Sequence, residues 1–348
     1  MALTQPILLI TPGFPKEETD DTCIPFLQDY LMALAAAIGK KNVQIITLQY
    51  PFSKKIYYWN GMEVYSAGGK NRKGVFRLLA WYRAKSIAGK WIQPGKTIIH
   101  AFWLTEATYI GTKLAKKYNC KMVSTIMGQD VLPANKYLPR IKQQNTYIVA
   151  PNKKAADTLY HTAHIYTGKI ITPAVKNIPL LKTNRNTDIL FVGAFIPLKQ
   201  PELFVEIVQQ ITLTHPAIKC SMIGQGVLMD IIKNMVAKEN ITQIELTGQL
   251  NREEVLHRMQ QAKILLHTSA YEGHATVFSE ALACGMHIVS FDVGGPLHPQ
   301  RHICTTTNGM IEKIQQLLSS PITFKPDQSH TINQVARQYL EIYQSLES

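Results

Sequence analysis

The chain has 348 residues, with 37 Lys+Arg against 24 Asp+Glu and a formal net charge of +13. That length exceeds what one hydrophobic core usually fills, so two domains of roughly 150 residues are expected. Apolar residues at 46% and charged residues at 18% exclude wholesale disorder, and no apolar run reaches the ~18 residues that cross a bilayer.

The opening stretch MALTQPILLITPGFP has no basic n-region and no small-residue cleavage site, so it does not read as a signal peptide. ILLI (7–10) reads as a strand running into TPGFP, followed by a helical pattern from Pro25 to Ile38. VQIITL (43–48), TIIHAF (97–102), KMVSTI (121–126) and TYIVAP (146–151) read as further strands, with a helix over Glu106–Lys117 between two of them. A polar, aperiodic stretch from Lys176 to Thr187 reads as a linker, after which the rhythm restarts with DILFVGAF (188–195). Helix Pro201–Thr212, strand IKCSMIG (218–224), helix Met229–Lys238 and strand QIELTG (243–248) follow. Helix Arg252–Ala262, strand KILLHTS (263–269), helix Thr276–Cys284 and strand HIVSFD (287–292) complete that half. The amphipathic segment Ile332–Leu346 is a last helix able to pack on either half. Apolar strands alternating with helices imply parallel sheets with right-handed crossovers, so the reading is two doubly wound α/β domains, 1–183 and 184–348.

The charge is not shared evenly. Residues 1–185 hold 26 Lys+Arg and 9 Asp+Glu, a balance of +17, whereas residues 186–348 hold 11 and 15, a balance of −4. One half therefore faces an anionic partner and the other does not. Five scattered cysteines (Cys23, Cys120, Cys220, Cys284, Cys304) form no CxxC pair, which suggests reduced thiols in a cytoplasmic protein. No cluster of metal-ligand type stands out, and no metal or cofactor is expected.

In open α/β sheets ligands collect beyond the carboxyl ends of strands, where loops enter helix N-termini. Gly13 after the first strand and the loop SAYEGHAT (269–276) fit that placement, but neither matches GxGxxG or a Walker P-loop. Glu272 lies in that loop and Glu280 about one helical turn inside the following helix, among the apolar Val277, Phe278, Ala281 and Leu282. Two readings stand: acceptors for the hydroxyls of a sugar or ribose, or a helix N-terminal charge and a solvated helix residue.

The stretch YEGHATVFSEALACGMHIVSFDVGG resembles the donor-binding segment of retaining GT-B glycosyltransferases of family 4, in which two Glu precede EALA-x-G and a strand ending in GG. FVGAFIPLK (191–199), MIGQG (222–226), ELTGQLNREEV (245–255) and LLHTSAYEG (265–273) agree in order and distance, and TPGFP, IIHAFW and STIMGQDV are looser counterparts in the first half. The resemblance implies two Rossmann-like domains facing a central cleft, with the first holding the acceptor and the second the donor. It implies transfer of a sugar from a nucleoside-diphosphate sugar, UDP- or GDP-linked, to a glycan or lipid-linked acceptor with retention of configuration. The product would be a surface polysaccharide, lipopolysaccharide or glycolipid.

By the same resemblance Glu280 would bind the ribose and Glu272 would orient the transferred sugar. Backbone amides of His274, Ala275, Thr276 and Val277 would face the sugar and diphosphate, and Lys199 would neutralise the departing phosphate. Gly13 and Gly193 would let backbone approach the phosphates, while Gly224 and Gly226, with Gln249 and Leu250, would line the base. His100, Glu106 and Asp130 are acceptor-side candidates, with His100 read as structural more than catalytic. The chain departs from the family at Ala194 (for Arg), Phe102 (for a second His), Met127 (for His) and His274 (for Phe). Those losses leave a second reading, a non-catalytic nucleotide- or sugar-binding protein that keeps the fold.

The basic half interleaves seven Lys/Arg with Phe76, Trp81, Tyr82 and Trp91 in GKNRKGVFRLLAWYRAKSIAGKWIQ (69–93), after Lys54, Lys55, Tyr57, Tyr58 and Trp59. Such a mixture over 54–93 suits an anionic membrane surface at the inner face of the plasma membrane; the other reading is a solvated basic face with core aromatics. The wheel over 75–88 is not cleanly amphipathic, because Phe76 and Trp81 fall away from the Val75/Leu79/Tyr82 stripe. No nucleic-acid motif is present, so no nucleic-acid partner is expected.

Overall fold

Each apolar run read as a strand is one in the computed structural model, which describes residues 5–141 and 146–347. The first four residues, part of the stretch read for a leader, lie outside the described range. The strands fall into two sheets, and the chain divides into two units, residues 1–176 with 332–348 and residues 177–331.

The first unit holds β1 (Ile7–Gly13), β2 (Val43–Tyr50), β3 (Lys55–Trp59), β4 (Met62–Ser66), β5 (Ile98–Phe102), β6 (Lys121–Thr125), β7 (Tyr147–Ala150) and β8 (Lys169–Ile170), in sheet order β3-β4-β2-β1-β5-β6-β7-β8. All neighbours are parallel except β3 and β4, which form a hairpin. That hairpin was not read from the sequence, although its Asn60-Gly61 turn carries the signal: both residues adopt positive φ, 48° and 79°. Helices α1 (Pro25–Ile38), α2 (Val75–Trp91), α3 (Glu106–Tyr118) and α4 (Lys153–Ala163) belong to this unit. The period of two sends Ile7 and Leu9 of β1 to one face and Leu8 and Ile10 to the other. Both faces are covered, which is why ILLI is apolar throughout rather than alternating.

The helix near the C-terminus, α10 (Ile332–Glu347), belongs to this first unit. Its stripe of Val335, Tyr339, Ile342 and Tyr343 buries in the same core as Phe26, Tyr30 and Leu34 of α1. A buried polar relay fixes it there. Tyr343 Oη lies 2.6 Å from both His100 Nδ1 and Tyr30 Oη, and His100 Nε2 lies 2.9 Å from Thr125 Oγ1, itself 3.0 Å from Tyr339 Oη.

The second unit is a six-stranded, fully parallel sheet of β9 (Thr187–Val192), β10 (Cys220–Ile223), β11 (Ile244–Gly248), β12 (Ala262–His267), β13 (His287–Phe291) and β14 (Arg301–Cys304). The order β11-β10-β9-β12-β13-β14 is the doubly wound 3-2-1-4-5-6 arrangement, with its switch point between β9 and β12. Helices α5 (Pro201–Thr212), α6 (Met229–Lys238), α7 (Arg252–Gln260), α8 (Thr276–Ala283) and α9 (Thr307–Leu318) connect the strands. The stretch expected as a linker joins this unit from residue 177, not 184. Leu181 donates its amide to Gln260 Oε1 at 2.7 Å and Ile178 is buried, so the segment lies along the end of α7. All five cysteines are free thiols. Among the described residues no helix is long and apolar enough to cross a membrane, and no cluster of three metal-ligating side chains exists.

Candidate functional site

The switch point of the second unit puts two loops side by side, residues 193–200 after β9 and 268–275 after β12. The protein laces them together through its backbone. Thr268 Oγ1 donates to the carbonyls of Lys199 (2.9 Å) and Gln200 (2.8 Å), and the amide of Ala270 donates to Leu198 at 2.9 Å. Lys199 and Glu272, 73 residues apart, thereby meet: Lys199 Nζ lies 2.5 Å from Glu272 Oε1. His267, the last residue of β12, lies 2.9 Å from the same oxygen through Nε2 and packs edge-on against Phe278.

The charges in this cluster are set by their neighbours. Burial alone would raise the Glu272 carboxyl, but the His267 hydrogen bond and the Lys199 charge outweigh it and hold the group at about 2. Burial pushes His267 below its usual range, so the neutral imidazole donates through Nε2–H. The result is an ionised carboxylate, largely withdrawn from water, at the mouth of a helix N-terminus. No side chain caps α8, whose N-cap is Ala275, so its first amides are left for another acceptor.

Glycines shape this loop. Gly294, after β13, donates its amide to the Glu272 carbonyl (3.2 Å) and accepts from the Ala275 amide (3.0 Å). A Cβ on Gly294 would lie 2.3 Å from the Gly273 carbonyl oxygen, and one on Gly295 would lie 2.4 Å from Phe278. The GG pair is therefore what lets the Glu272 loop sit down on β13. The Ala275 amide is occupied by Gly294, which corrects the expectation that it faces a ligand. His274 has both ring nitrogens buried without a hydrogen-bond partner among the described residues, and burial with the nearby His330 and Arg301 charges lowers it to about 4. A neutral imidazole with one unused donor and one unused acceptor is a group that a hydroxyl-rich ligand satisfies.

Glu280 lies in α8 beyond this cluster, and Arg252, the first residue of α7, approaches its Oε1 at 3.3 Å through both Nε and Nη2. Gly224 and Gly226 turn out to be packing glycines. A Cβ on Gly224, whose φ is +148°, would lie 1.9 Å from the Gly193 carbonyl oxygen; one on Gly226 would lie 2.3 Å from that of Phe195. Gly193 itself has ordinary room for a Cβ. Gln249 is exposed and Leu250 half-buried just past β11, whose Gly248 carbonyl accepts from the Gly224 amide at 2.9 Å. Thr276 and Val277 open α8, and Ala194 is exposed in the β9 loop.

Sequence reading missed His267, Arg252 and Arg301. The first two lie inside segments already singled out, LLHTS and QLNREEV, but nothing in spacing says which way they point. Buried Arg301 donates to the carbonyls of Val293 (2.7 Å) and Pro296 (3.1 Å), and its guanidinium lies 4.7 Å from the Phe278 ring centroid. It fixes the GG loop and adds positive potential beside His267 and His274.

The first-unit candidates are distributed differently. Gly13 ends β1 beside the switch between β1 and β5, and a Cβ there would make only ordinary contacts, 3.7 Å to Ile24 and 3.8 Å to Tyr50. His100 is fully buried with both nitrogens engaged by Tyr343 and Thr125, and burial lowers it to about 3. It is a core residue, which removes it from the acceptor-side candidates; Phe102 packs 4.4 Å from its ring. Glu106 accepts from Trp81 Nε1 at 2.6 Å and from Gln49 Nε2, tying α2 and the end of β2 to α3. Asp130 accepts from the amides of Leu104 (2.7 Å), Gly128 (2.6 Å) and Met127 (3.2 Å). Both carboxylates are spent on contacts within the fold, Glu106 on neighbouring elements and Asp130 on nearby loop amides, so neither is placed to serve a ligand directly.

Two α/β units with these strand orders define a GT-B glycosyltransferase fold. Sucrose-phosphate synthase from Thermosynechococcus elongatus matches 98% of this chain and 99% of its own with a TM-score of 0.76 at 18% identity. Anabaena HepE, solved in complex with UDP and glucose, matches 98% and 100% with a TM-score of 0.72 at 12% identity. Residues 176–333, the span of the second unit, match the family described as glycosyl transferases group 1. An uncharacterized glycosyltransferase of Methanocaldococcus jannaschii is 27% identical over 233 residues. The match takes in 65% of this chain and 64% of that relative's length, just under two thirds of it.

Proposed function

We propose that the protein transfers a sugar from a nucleoside-diphosphate sugar to a glycan or lipid-linked acceptor, with retention of configuration. The observation that carries this is the Lys199–Glu272–His267 cluster at the switch point of the second unit. Glu272, held ionised, accepts hydrogen bonds from hydroxyls of the transferred sugar, and His267 positions it. His274 supplies a further donor and acceptor to the sugar, and Glu280, steadied by Arg252, takes the ribose hydroxyls. When a sugar hydroxyl satisfies Glu272, Lys199 is released to the diphosphate, with the open N-terminus of α8 beside it.

As the bond from the anomeric carbon to the phosphate oxygen breaks, its electron pair leaves with the phosphate. The acceptor hydroxyl attacks from the same face and passes its proton to that phosphate oxygen. Positive charge near the leaving group strengthens its contact as negative charge grows there, which is how Lys199 lowers the barrier. UDP- or GDP-linked donors fit this reading, and it places the enzyme at the inner face of a membrane in surface polysaccharide, lipopolysaccharide or glycolipid synthesis.

A panel of nucleotide sugars, followed by release of free nucleoside diphosphate, tests it. Lys199→Ala is expected to slow release by roughly 10- to 150-fold, the kinetic equivalent of one charge-assisted contact of about 1.5–3 kcal/mol. If no nucleotide sugar binds and Glu280→Ala changes nothing, the reading fails. Tight binding with no nucleoside diphosphate ever released establishes the non-catalytic alternative instead.

A further inference from the structure

The sequence from Val64 to Thr105 contains eight Lys/Arg and no Asp or Glu, and α2 lies at its centre. The helix has two apolar faces. One, formed by Ala80, Trp81, Ala84 and Ala88, is buried against the sheet and α3. The other carries Val75, Leu78, Leu79 and Tyr82 at the i, i+3, i+4, i+7 spacing of a packing stripe, yet these are 70, 57, 43 and 71% exposed. Phe76 beside them is 53% exposed. Two opposed apolar faces cancel on a helical wheel, which is why the segment looked non-amphipathic as sequence.

Exposed bases surround the open stripe: Lys70, Arg72 and Lys73 precede it, and the Arg72 guanidinium lies 5.0 Å from the centroid of Phe76. The loop entering α2 also touches a second exposed segment. A Cβ on Gly68 would lie 2.8 Å from the Lys54 amide nitrogen, and Phe52, Lys54, Lys55, Ile56 and Tyr58 are all exposed.

We infer that the first turns of α2, with the 70–74 loop, dock on an anionic bilayer, the stripe entering the headgroup–acyl boundary and the bases pairing with lipid charge. An apolar stripe this open marks an interaction surface, and the bases of the acid-free 64–105 stretch select an anionic lipid surface over a zwitterionic one. The inference rests on the proposed lipid-linked acceptor and names the surface that would reach it.

Co-sedimentation of the full chain with vesicles of phosphatidylcholine alone, or mixed equally with phosphatidylglycerol, tests the docking at low and high salt. Binding is expected only to the mixed vesicles and is weakened by salt. Substituting Lys70, Arg72 and Lys73 together by Gln should lower the partition coefficient on the order of 10²-fold, roughly fivefold per base. Leu79→Ser with Tyr82→Ser should lower it at least tenfold; all five side chains are surface groups, so circular dichroism should be unchanged. Failure to bind mixed vesicles, equal binding by the variants, or capture of an oligonucleotide in place of vesicles overturns the inference. Nucleotide-sugar turnover on the same preparations separates the two proposals: turnover without vesicle binding removes the surface only, and vesicle binding without turnover or nucleotide binding removes the enzyme reading only.

Discussion

Replacing Glu272 by Gln keeps the shape of the side chain and removes its charge, so it isolates what the ionised form contributes. The folded protein holds this carboxyl at about 2 against an ordinary 4.5. At about 1.36 kcal/mol per pH unit, the ionised form adds on the order of 3 kcal/mol to the second unit at pH 7. Because the folded value is depressed, that stability is complete above 4.5 and is lost as pH falls toward 2. Linkage leaves most of it at pH 4 and less than half at pH 3. All four tryptophans (59, 81, 91 and 103) lie in the first unit, so their fluorescence does not follow this event. Amide hydrogen exchange of β12 and α8 in wild type and Glu272→Gln, compared from neutral to acid pH, does. The gap between the two proteins should narrow by more than half across that range. A gap that stays constant with pH, or no gap at pH 7, would refute the electrostatic account of the Lys199–Glu272–His267 cluster.

Two glycines give opposite expectations. Gly224→Ala forces a methyl to within 1.9 Å of the Gly193 oxygen and should unfold the second unit or cost more than about 3 kcal/mol, seen as a lost thermal transition by calorimetry. Gly13→Ala has room and should leave Tm unchanged while reducing turnover; a large fall in Tm would show that the residue is structural. Tyr343→Phe strands His100 Nδ1 and Tyr30 Oη in the core and should cost about 2–4 kcal/mol in urea unfolding followed by tryptophan fluorescence. His100 titrates near 6.5 when unfolded but only at about 3 when folded, so the first unit should lose up to about 1.4 kcal/mol per pH unit below 6.5. His100→Gln should flatten that limb, and an unaltered slope would contradict it.

The alternation of apolar runs and amphipathic stretches was enough to read five strands of each sheet, because parallel strands buried on two faces must be apolar along their length, but not the short edge strands β8 and β14. Helices α1 and α5 start where expected, at a proline whose missing N–H costs nothing there. The β3–β4 hairpin escaped notice because its residues are polar and aromatic enough to pass for a surface patch. At the site, residue types and spacing drew attention to Glu272 and Glu280 and the family resemblance added Lys199, but neither gave their partners. His267, Arg252 and Arg301 matter through direction and burial, which depend on how distant loops are laced. The loop glycines carried the same ambiguity, since a glycine that admits a ligand and one that admits a neighbouring carbonyl read alike. Gly224 proves to be of the second kind.

The placement of α10 bears on the order of events during synthesis. The second unit is one unbroken segment, whereas the first needs residues 332–343 to cover Tyr30 and His100. A ribosome moving along the message would release a finished second unit while the earlier-made half still waited with an open core. Agents that hold exposed apolar surface should therefore engage the first half of the nascent chain for longer, and a stop codon placed before Ile332 should destabilise the part of the protein farthest from it in sequence.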